Sequence, residues 1–246
     1  KNGSNAGELF DVSLNTAKTE ATVVVKDSAK LNYEAVDSIY TVVLTVTDKD
    51  GLTDTLVRVI KVIDVNEKPT VKDIEKDVDE NLKNGTVVAE VEAFDPDTIH
   101  KTEFAQLTYA ITTPDMPFDM NGNKVVVTDS SKLDFETNPK FEFYVKVTNC
   151  EYDSKGKLVA GAACLEDSAK VVLNLVDVNE KPDIKCIEGD NDCNGPFSIA
   201  ENSKTGTPIH AFAITDVDAV DQGKLTVTLT DKNGSNAGEL FDVSLN

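Results

Sequence analysis

The sequence has no tryptophan, two methionines, two histidines and only 6% aromatic residues. So few rings argue against an aromatic platform for sugars. His100 and His210 stand in no partner motif, so neither a Ser/His/Asp nor a Cys/His catalytic set can be assembled. No glycine-rich phosphate loop is present, and no enzyme is expected. Basic residues are the minority, 24 Lys and Arg against 44 Asp and Glu, for a formal charge of −20. Nucleic acid and anionic membrane surfaces would repel such a chain, whereas cations would be drawn to it. Apolar runs are only a few residues long, as in Thr22-Val23-Val24-Val25, too short to span a bilayer. No signal peptide opens the chain, and Lys1 reads as the middle of a longer unit.

There are four cysteines, in two close-spaced sets. Zinc would ask for CxxC-type spacing, often with histidine. Two local disulfides, Cys150–Cys164 and Cys186–Cys193, fit the spacing better and require an oxidising exterior or periplasm, with an extracellular or cell-surface location expected. Three connectivities are open to four cysteines, and reduced structural thiols are the alternative. The first pair encloses an insertion expected as a stapled hairpin tip, with a partner-binding protrusion as the other reading. Acids between the second pair could hold an extra ion. Asn2-Gly-Ser4, Asn84-Gly-Thr86 and Asn233-Gly-Ser235 match the glycosylation acceptor pattern, which has meaning only in a eukaryote.

What the sequence does contain is repetition. Residues 1–15, KNGSNAGELFDVSLN, recur without change as residues 232–246, an offset of 231. Inside that period DVNEKP occurs at Asp64–Pro69 and at Asp177–Pro182, an offset of 113. One period therefore holds two modules, A and B, of about 113 and 118 residues. Residues 1–67 are expected to be the C-terminal half of a module B, 68–180 a complete module A, and 181–246 the N-terminal half of the next module B. A window cut from a longer tandem array explains this phase. Head-to-tail assembly of half modules is the other explanation, and the duplicated fifteen residues count against it, since each joint would hold that segment twice.

Alternation of period two marks the strands. Tyr40, Val42, Leu44 and Val46 face one way in 38–47, and Phe141, Phe143, Val145 and Val147 do so in 140–149. Further strands are expected at 85–94, 106–112, 124–128, 169–176, 206–214 and 224–230. About seven short strands per module, parted by Asp, Asn and Gly turns, predict an all-β fold of Greek-key sandwiches.

Acidic motifs recur in the same order in both modules. Module A has Asp79-Glu80-Asn81, Asp95-Pro96-Asp97, Leu133-Asp134-Phe135-Glu136 and Asp177-Val178-Asn179-Glu180. Module B has Ala200-Glu201-Asn202, Asp216-Val217-Asp218, Leu31-Asn32-Tyr33-Glu34, Thr47-Asp48-Lys49-Asp50-Gly51 and Asp64-Val65-Asn66-Glu67. One such motif alone reads as a solvated turn. Carboxylates gathered without a counter-ion would raise one another's pKa. Hard oxygen donors on loops suit Ca²⁺, which takes six to eight of them, better than Mg²⁺, which keeps its waters.

The ordered set xEN, DxD, LDxE, VTDxxG and DxNEKP resembles cadherin repeats, in their bacterial or cadherin-like form. In that family calcium lies between successive domains, held by the bottom of one, the linker and the top of the next. The resemblance implies an A-to-B junction of Glu80, Asp134, Glu136, Asp177, Asn179, Glu180, Asp216 and Asp218, with carbonyls of Val178 and Lys181, holding about three Ca²⁺ ions. It implies a B-to-A junction of Asn32, Glu34, Asp64, Asn66, Glu67, Asp95, Asp97 and Asn149. Glu201, of module B's own xEN motif, joins the set, and Asp48 serves a junction with an upstream copy, while Asp50 is a turn residue. Asn32 and Asn149 each stand where an aspartate is usual, so the B-to-A junction is expected to bind more weakly. The function so implied is a calcium-rigidified extender of a giant bacterial adhesin or surface fibre, whose partners are neighbouring repeats of the same chain. The alternative is a direct binding module, acting homophilically on like chains or on surface glycans; Tyr144 is the one exposed aromatic that supports it.

Overall fold

The computed structural model describes residues 6–34, 38–99, 104–188, 195–218, 224–230 and 243. The chain divides into two compact units: residues 1–76, 83–130 and 141–173 form the first, and 77–82, 131–140 and 174–246 the second.

Strands dominate. In order they are β1 (Phe10–Leu14), β2 (Ala21–Val25), β3 (Ile39–Thr47), β4 (Thr53–Lys61), β5 (Thr70–Val71), β6 (Ile74–Asp79), β7 (Val87–Glu90) and β8 (Ala93–Phe94). There follow β9 (Leu107–Ile111), β10 (Phe118–Asn121), β11 (Lys124–Val127), β12 (Lys140–Asn149), β13 (Leu165–Val176), β14 (Asp183–Cys186) and β15 (Phe212–Thr215). A four-residue helical turn, Ala6–Leu9, and three short 3₁₀ turns are the helical content among the described residues. The fold is all-β, made of tandem sandwiches.

One sandwich is complete. Its sheets are β6-β13-β12-β9 and β10-β11-β7. β12 shows why its sequence chooses this fold: Phe141, Phe143, Val145 and Val147 are buried, while Tyr144 between them is 52% exposed. Side chains alternate across a strand, so one face enters the core and the other meets water. Val125 and Val127 of β11 and Val88 of β7 supply the opposing layer. Phe118 fastens the layers, meeting Phe141 edge-on at 5.3 Å and stacking on Phe143 at 5.4 Å. Each such side chain contributes roughly 1.5–3 kcal/mol by leaving water.

Residues 10–61 make two hairpins, β1–β2 and β3–β4, each a two-stranded sheet among the described residues. After β13 comes β14–β15. Two expected strands differ from what forms. Residues 206–214 give a strand only from Phe212, and 224–230 give no more than a bridge at Thr230. A strand needs a neighbour to take its N–H and C=O groups, and alternation alone does not supply one.

Cys150 and Cys164 are joined by a disulfide, with Cα atoms 4.3 Å apart. Inside the loop they close, Asp153 Oδ1 accepts the N–H groups of Lys155 and Lys157, and Tyr152 bridges Leu158. This is a stapled hairpin tip. Cys186 is also disulfide-bonded. Cys193, its expected partner, and His100 lie outside the described residues.

The core assignment yields a stability contrast within one strand. Phe143→Ala should cost about 3–5 kcal/mol, and Tyr144→Ala on the outer face no more than about 0.5 kcal/mol, read by denaturant unfolding of the two variants.

Candidate metal centre

In the first unit, Asp64 and Glu67 sit on the segment after β4, Glu34 on the loop after the 3₁₀ turn at Ser28–Lys30, and Asp97 on the turn after β8. One carboxylate oxygen from each of the four lies within 4.8 Å of the others. Local hydrogen bonds position them. Asp95 Oδ1 accepts the Asp97 N–H at 3.0 Å, the short turn that a DxD spacing permits. Asp97 Oδ2 then accepts the Glu67 N–H at 3.2 Å. Asn149, at the end of β12, donates to Asp95 Oδ2 at 2.6 Å and to the Phe104 carbonyl. An aspartate there would set a second negative charge against Asp95, whereas the amide is a donor that holds it.

In the second unit, Glu80 follows β6 and is only 2% exposed. Its Oε2 accepts the Phe135 N–H and its Oε1 the Val178 N–H, each at 2.8 Å, so one side chain ties the 133–136 loop to the segment after β13. Glu80, Asp134 and Glu136 form one oxygen cluster, and Glu136, Glu180 and Asp218 a second that shares Glu136. The DxD geometry repeats: the Asp218 N–H donates to Asp216 Oδ1 at 3.1 Å, and the Glu180 N–H to Asp218 Oδ2 at 2.9 Å.

Asn81 is a residue that motif reading left out of the site. Its φ is +57°, a left-handed conformation that asparagine adopts more readily than most residues, and Asn202 of the second xEN shares it at +62°. The Asn81 N–H donates to the Leu133 carbonyl at 2.9 Å, and its side-chain amide to Glu180 Oε1. The signal was the asparagine after each glutamate.

The remaining predicted residues are more scattered. Asn66 donates to the Ala163 carbonyl at 3.3 Å. Asn32 is half-buried in the loop of Glu34. Asp177 is exposed, yet its charge reaches Glu136 and Glu180. Asn179 and Lys181 are exposed on the same segment. Asp48 caps its own turn, accepting the Asp50 and Leu52 N–H groups, and with the exposed Glu201 it joins none of the clusters.

The electrostatics are those of crowded carboxylates. Burial, reinforced by Glu67 and Asp95, pushes the Asp97 carboxyl up to about 7. Glu67 is raised by burial and by Glu34, Asp64 and Asp95. Glu136 is raised by desolvation and by Glu80, Glu180 and Asp177. The Asn81 amide lowers Glu180, but desolvation and its acidic neighbours raise it on balance. Buried Asp64 Oδ1 and Oδ2, Asn66 Oδ1, Glu67 Oε2, Asp97 Oδ1, Asn149 Oδ1, Glu180 Oε2 and Asp218 Oδ1 accept no hydrogen bond among the described residues. Buried acceptors are normally satisfied. Oxygen-only donors with oxygens within 4.8 Å match a hard ion with ligands at about 2.3–2.6 Å, so these residues fit Ca²⁺.

A profile of the cadherin domain matches residues 75–172, the stretch that holds the complete sandwich. This segment is a cadherin domain. Over 222 residues the chain is 29% identical to cadherin-5 of Bos taurus, covering 88% of itself and 26% of that protein. With human protocadherin alpha-2 the identity is 26% over 237 residues, 92% of the chain and 23% of the relative. Among solved structures, mouse protocadherin-24 EC1-3 superposes with a TM-score of 0.57 at 21% identity, over 88% of this chain and 65% of that one. The chain thus spans about a quarter of the length of each of these two animal relatives. Cadherin domains are extracellular adhesion domains and not enzymes. No helix among the described residues is long and apolar enough to cross a membrane.

The raised Asp97 carboxyl sets a pH dependence. A folded-state pKa near 7, above the ordinary 3.8, favours the protonated fold, so its stability contribution is full at low pH and is lost as pH rises through about 7. In chelator, thermal unfolding should shift to lower temperature from about pH 5 to pH 8. Saturating calcium, which needs the ionised form, should abolish or reverse the slope.

Proposed function

We propose that the chain is part of a calcium-rigidified extender of an extracellular adhesin or surface fibre. Its modules divide at 67/68 and 180/181, with Ca²⁺ at each junction. The observation that carries the reading is the pair of carboxylate clusters built to one plan. In each, a linker glutamate N–H donates to the second aspartate of a DxD turn, at 3.2 Å in one and 2.9 Å in the other.

Glu34, Asp64, Asn66, Glu67, Asp95 and Asp97 would hold calcium at one junction. Glu80, Asp134, Glu136, Asp177, Glu180 and Asp218 would hold it at the other. Bound calcium supplies the positive charge that lets these carboxylates share one space. The chain's own groups do the positioning: Glu80 fastens two loops, Asn81 orients Glu180, and Asn149 orients Asp95. With the ion in place a few linker residues become a fixed joint. Without it, like charges drive the joint open. Asn32 and Asn149 lower the charge count at the first junction, which should therefore bind calcium more weakly. An extended, oxidising-compartment location follows from the disulfides and the family.

Small-angle scattering on a chain spanning two full periods tests this. A rigid rod in calcium should become flexible and more compact with excess chelator, and an unchanged profile would remove the extender role. Glu136→Gln, at an exposed position shared by both oxygen sets of the second cluster, should weaken calcium binding by about tenfold or more. Titration calorimetry would show this as a loss of the tighter phase alone.

A further inference from the structure

The β12–β13 hairpin is closed by a covalent bond at its mouth and not at its tip. Cys150 follows the last residue of β12, Cys164 precedes the first of β13, and the two are disulfide-bonded. Backbone pairing already holds these strands side by side. What the bond fixes in addition is the position of the residue before each half-cystine.

Both of those residues orient an asparagine amide at the first carboxylate cluster. Asn149, before Cys150, is itself such an amide: its Nδ2 donates to Asp95 Oδ2 at 2.6 Å and to the Phe104 carbonyl. Ala163, before Cys164, accepts a hydrogen bond from Asn66 Nδ2 at 3.3 Å. Each amide therefore has its N–H end held by the protein. The buried Oδ1 of each accepts no hydrogen bond among the described residues, and Asn149 is 0% exposed. The linker is fastened again a few residues on, where Asp167 of β13 accepts the Lys68 ammonium at 3.0 Å and the Val71 N–H at 3.1 Å. Residues 163–167 thus form a seat for the linker, and the disulfide ties its Ala163 end to the strand that carries the clamp on Asp95. The second cluster is held differently. Its contacts from Phe135, Val178 and Asn81 lie in segments that this bond does not join.

We propose that the Cys150–Cys164 disulfide is a positioning element of the first calcium site. It keeps Asn149 and Ala163 in register, and through them Asp95 and Asn66, so calcium affinity at this junction depends on the bond being closed. The inference rests on the calcium junction proposed above and names what sets its affinity. Groups that orient metal ligands typically matter by about 10–100-fold in metal affinity. Linkage makes the effect reciprocal: what the closed bond contributes to calcium binding, calcium returns as resistance of the bond to reduction.

Calcium titration calorimetry of the 246-residue chain tests this in a Glu136→Gln background, where the second cluster is weakened. Cys150→Ala/Cys164→Ala should weaken the remaining binding by about tenfold or more. In a Glu34→Gln background, where the first cluster is the weakened one, the same pair should leave binding unchanged. Asp153→Ala loosens the tip turn without opening the bond, and should change neither.

The unmodified chain gives an independent reading. Cys164 is exposed, which gives dithiothreitol an approach. Two exchange steps deliver two electrons and two protons, leaving the Cys150 and Cys164 thiols while the dithiol closes to its cyclic disulfide. At equilibrium in mixtures of reduced and oxidised dithiothreitol, saturating calcium should raise the ratio needed for half reduction by the same factor that the open bond costs in affinity. Alkylation and mass spectrometry of the two thiols would read it. Should the paired alanines fail to fold, this equilibrium decides alone. A staple with a merely structural role would lower the thermal stability of both backgrounds and move neither calcium readout. That result, or an equal loss of affinity in both backgrounds, overturns the inference and leaves the calcium junctions standing. No calcium binding by the unmodified chain removes both.

Discussion

Carboxylates crowded to within 4.8 Å of one another repel strongly once they leave water, and the geometry of both clusters is an answer to that repulsion. At about 4 Å and an effective dielectric near 20, one pair of like charges costs on the order of 4 kcal/mol. Glu67 and Glu136 are each raised by desolvation first and then by their acidic neighbours. The fold meets this repulsion locally. It spends its local hydrogen bonds, from backbone N–H groups and from Asn81 and Asn149, on fixing the oxygens in place. Groups fixed where their charges conflict are held at a cost in stability, which a bound cation would offset.

Strand formation is governed by a different constraint, the need of every buried N–H and C=O for a partner. Where β12 has neighbours on both sides, its alternating sequence is buried to 0–6% on the inner face. Where β3 has β4 alone among the described residues, the same alternation leaves Val46 mostly exposed. Similar sequences thus reach different states in one chain. The difference lies in which partner strands are present.

This is also why the sequence was readable in some places and not in others. Lys140–Asn149 is legible to its ends, because the alternation, the buried face and the paired neighbours agree. The all-β class and the residues of the carboxylate clusters were legible for a related reason: repeated motifs at equal offsets report positions used in the same way twice. Strands at 206–211 and 224–230 were not, since they depend on a second strand that periodicity within a segment does not contain. Nor could a motif show that Asn149 clamps Asp95 or that Asn81 takes a left-handed turn to reach Glu180. Those are relations between side chains far apart in sequence, visible only once the strands bring them together.

Asn149 shows how closely charge and packing are bound together here. Counted as a ligand, it subtracts one negative charge from its cluster. Counted as a hydrogen-bond donor, it holds the Asp95 carboxylate, and Asp95 in turn sets the turn that aims Asp97 at Glu67. With aspartate at 149, charge count would rise while the donor that orients Asp95 was lost, and in the fully buried pocket the added repulsion would act at full strength. At this position the amide gives up a charge and gains a donor that fixes the geometry of its neighbours. Glu80 makes the corresponding choice in the other cluster, giving both its oxygens to backbone N–H groups and thereby holding two loops in register.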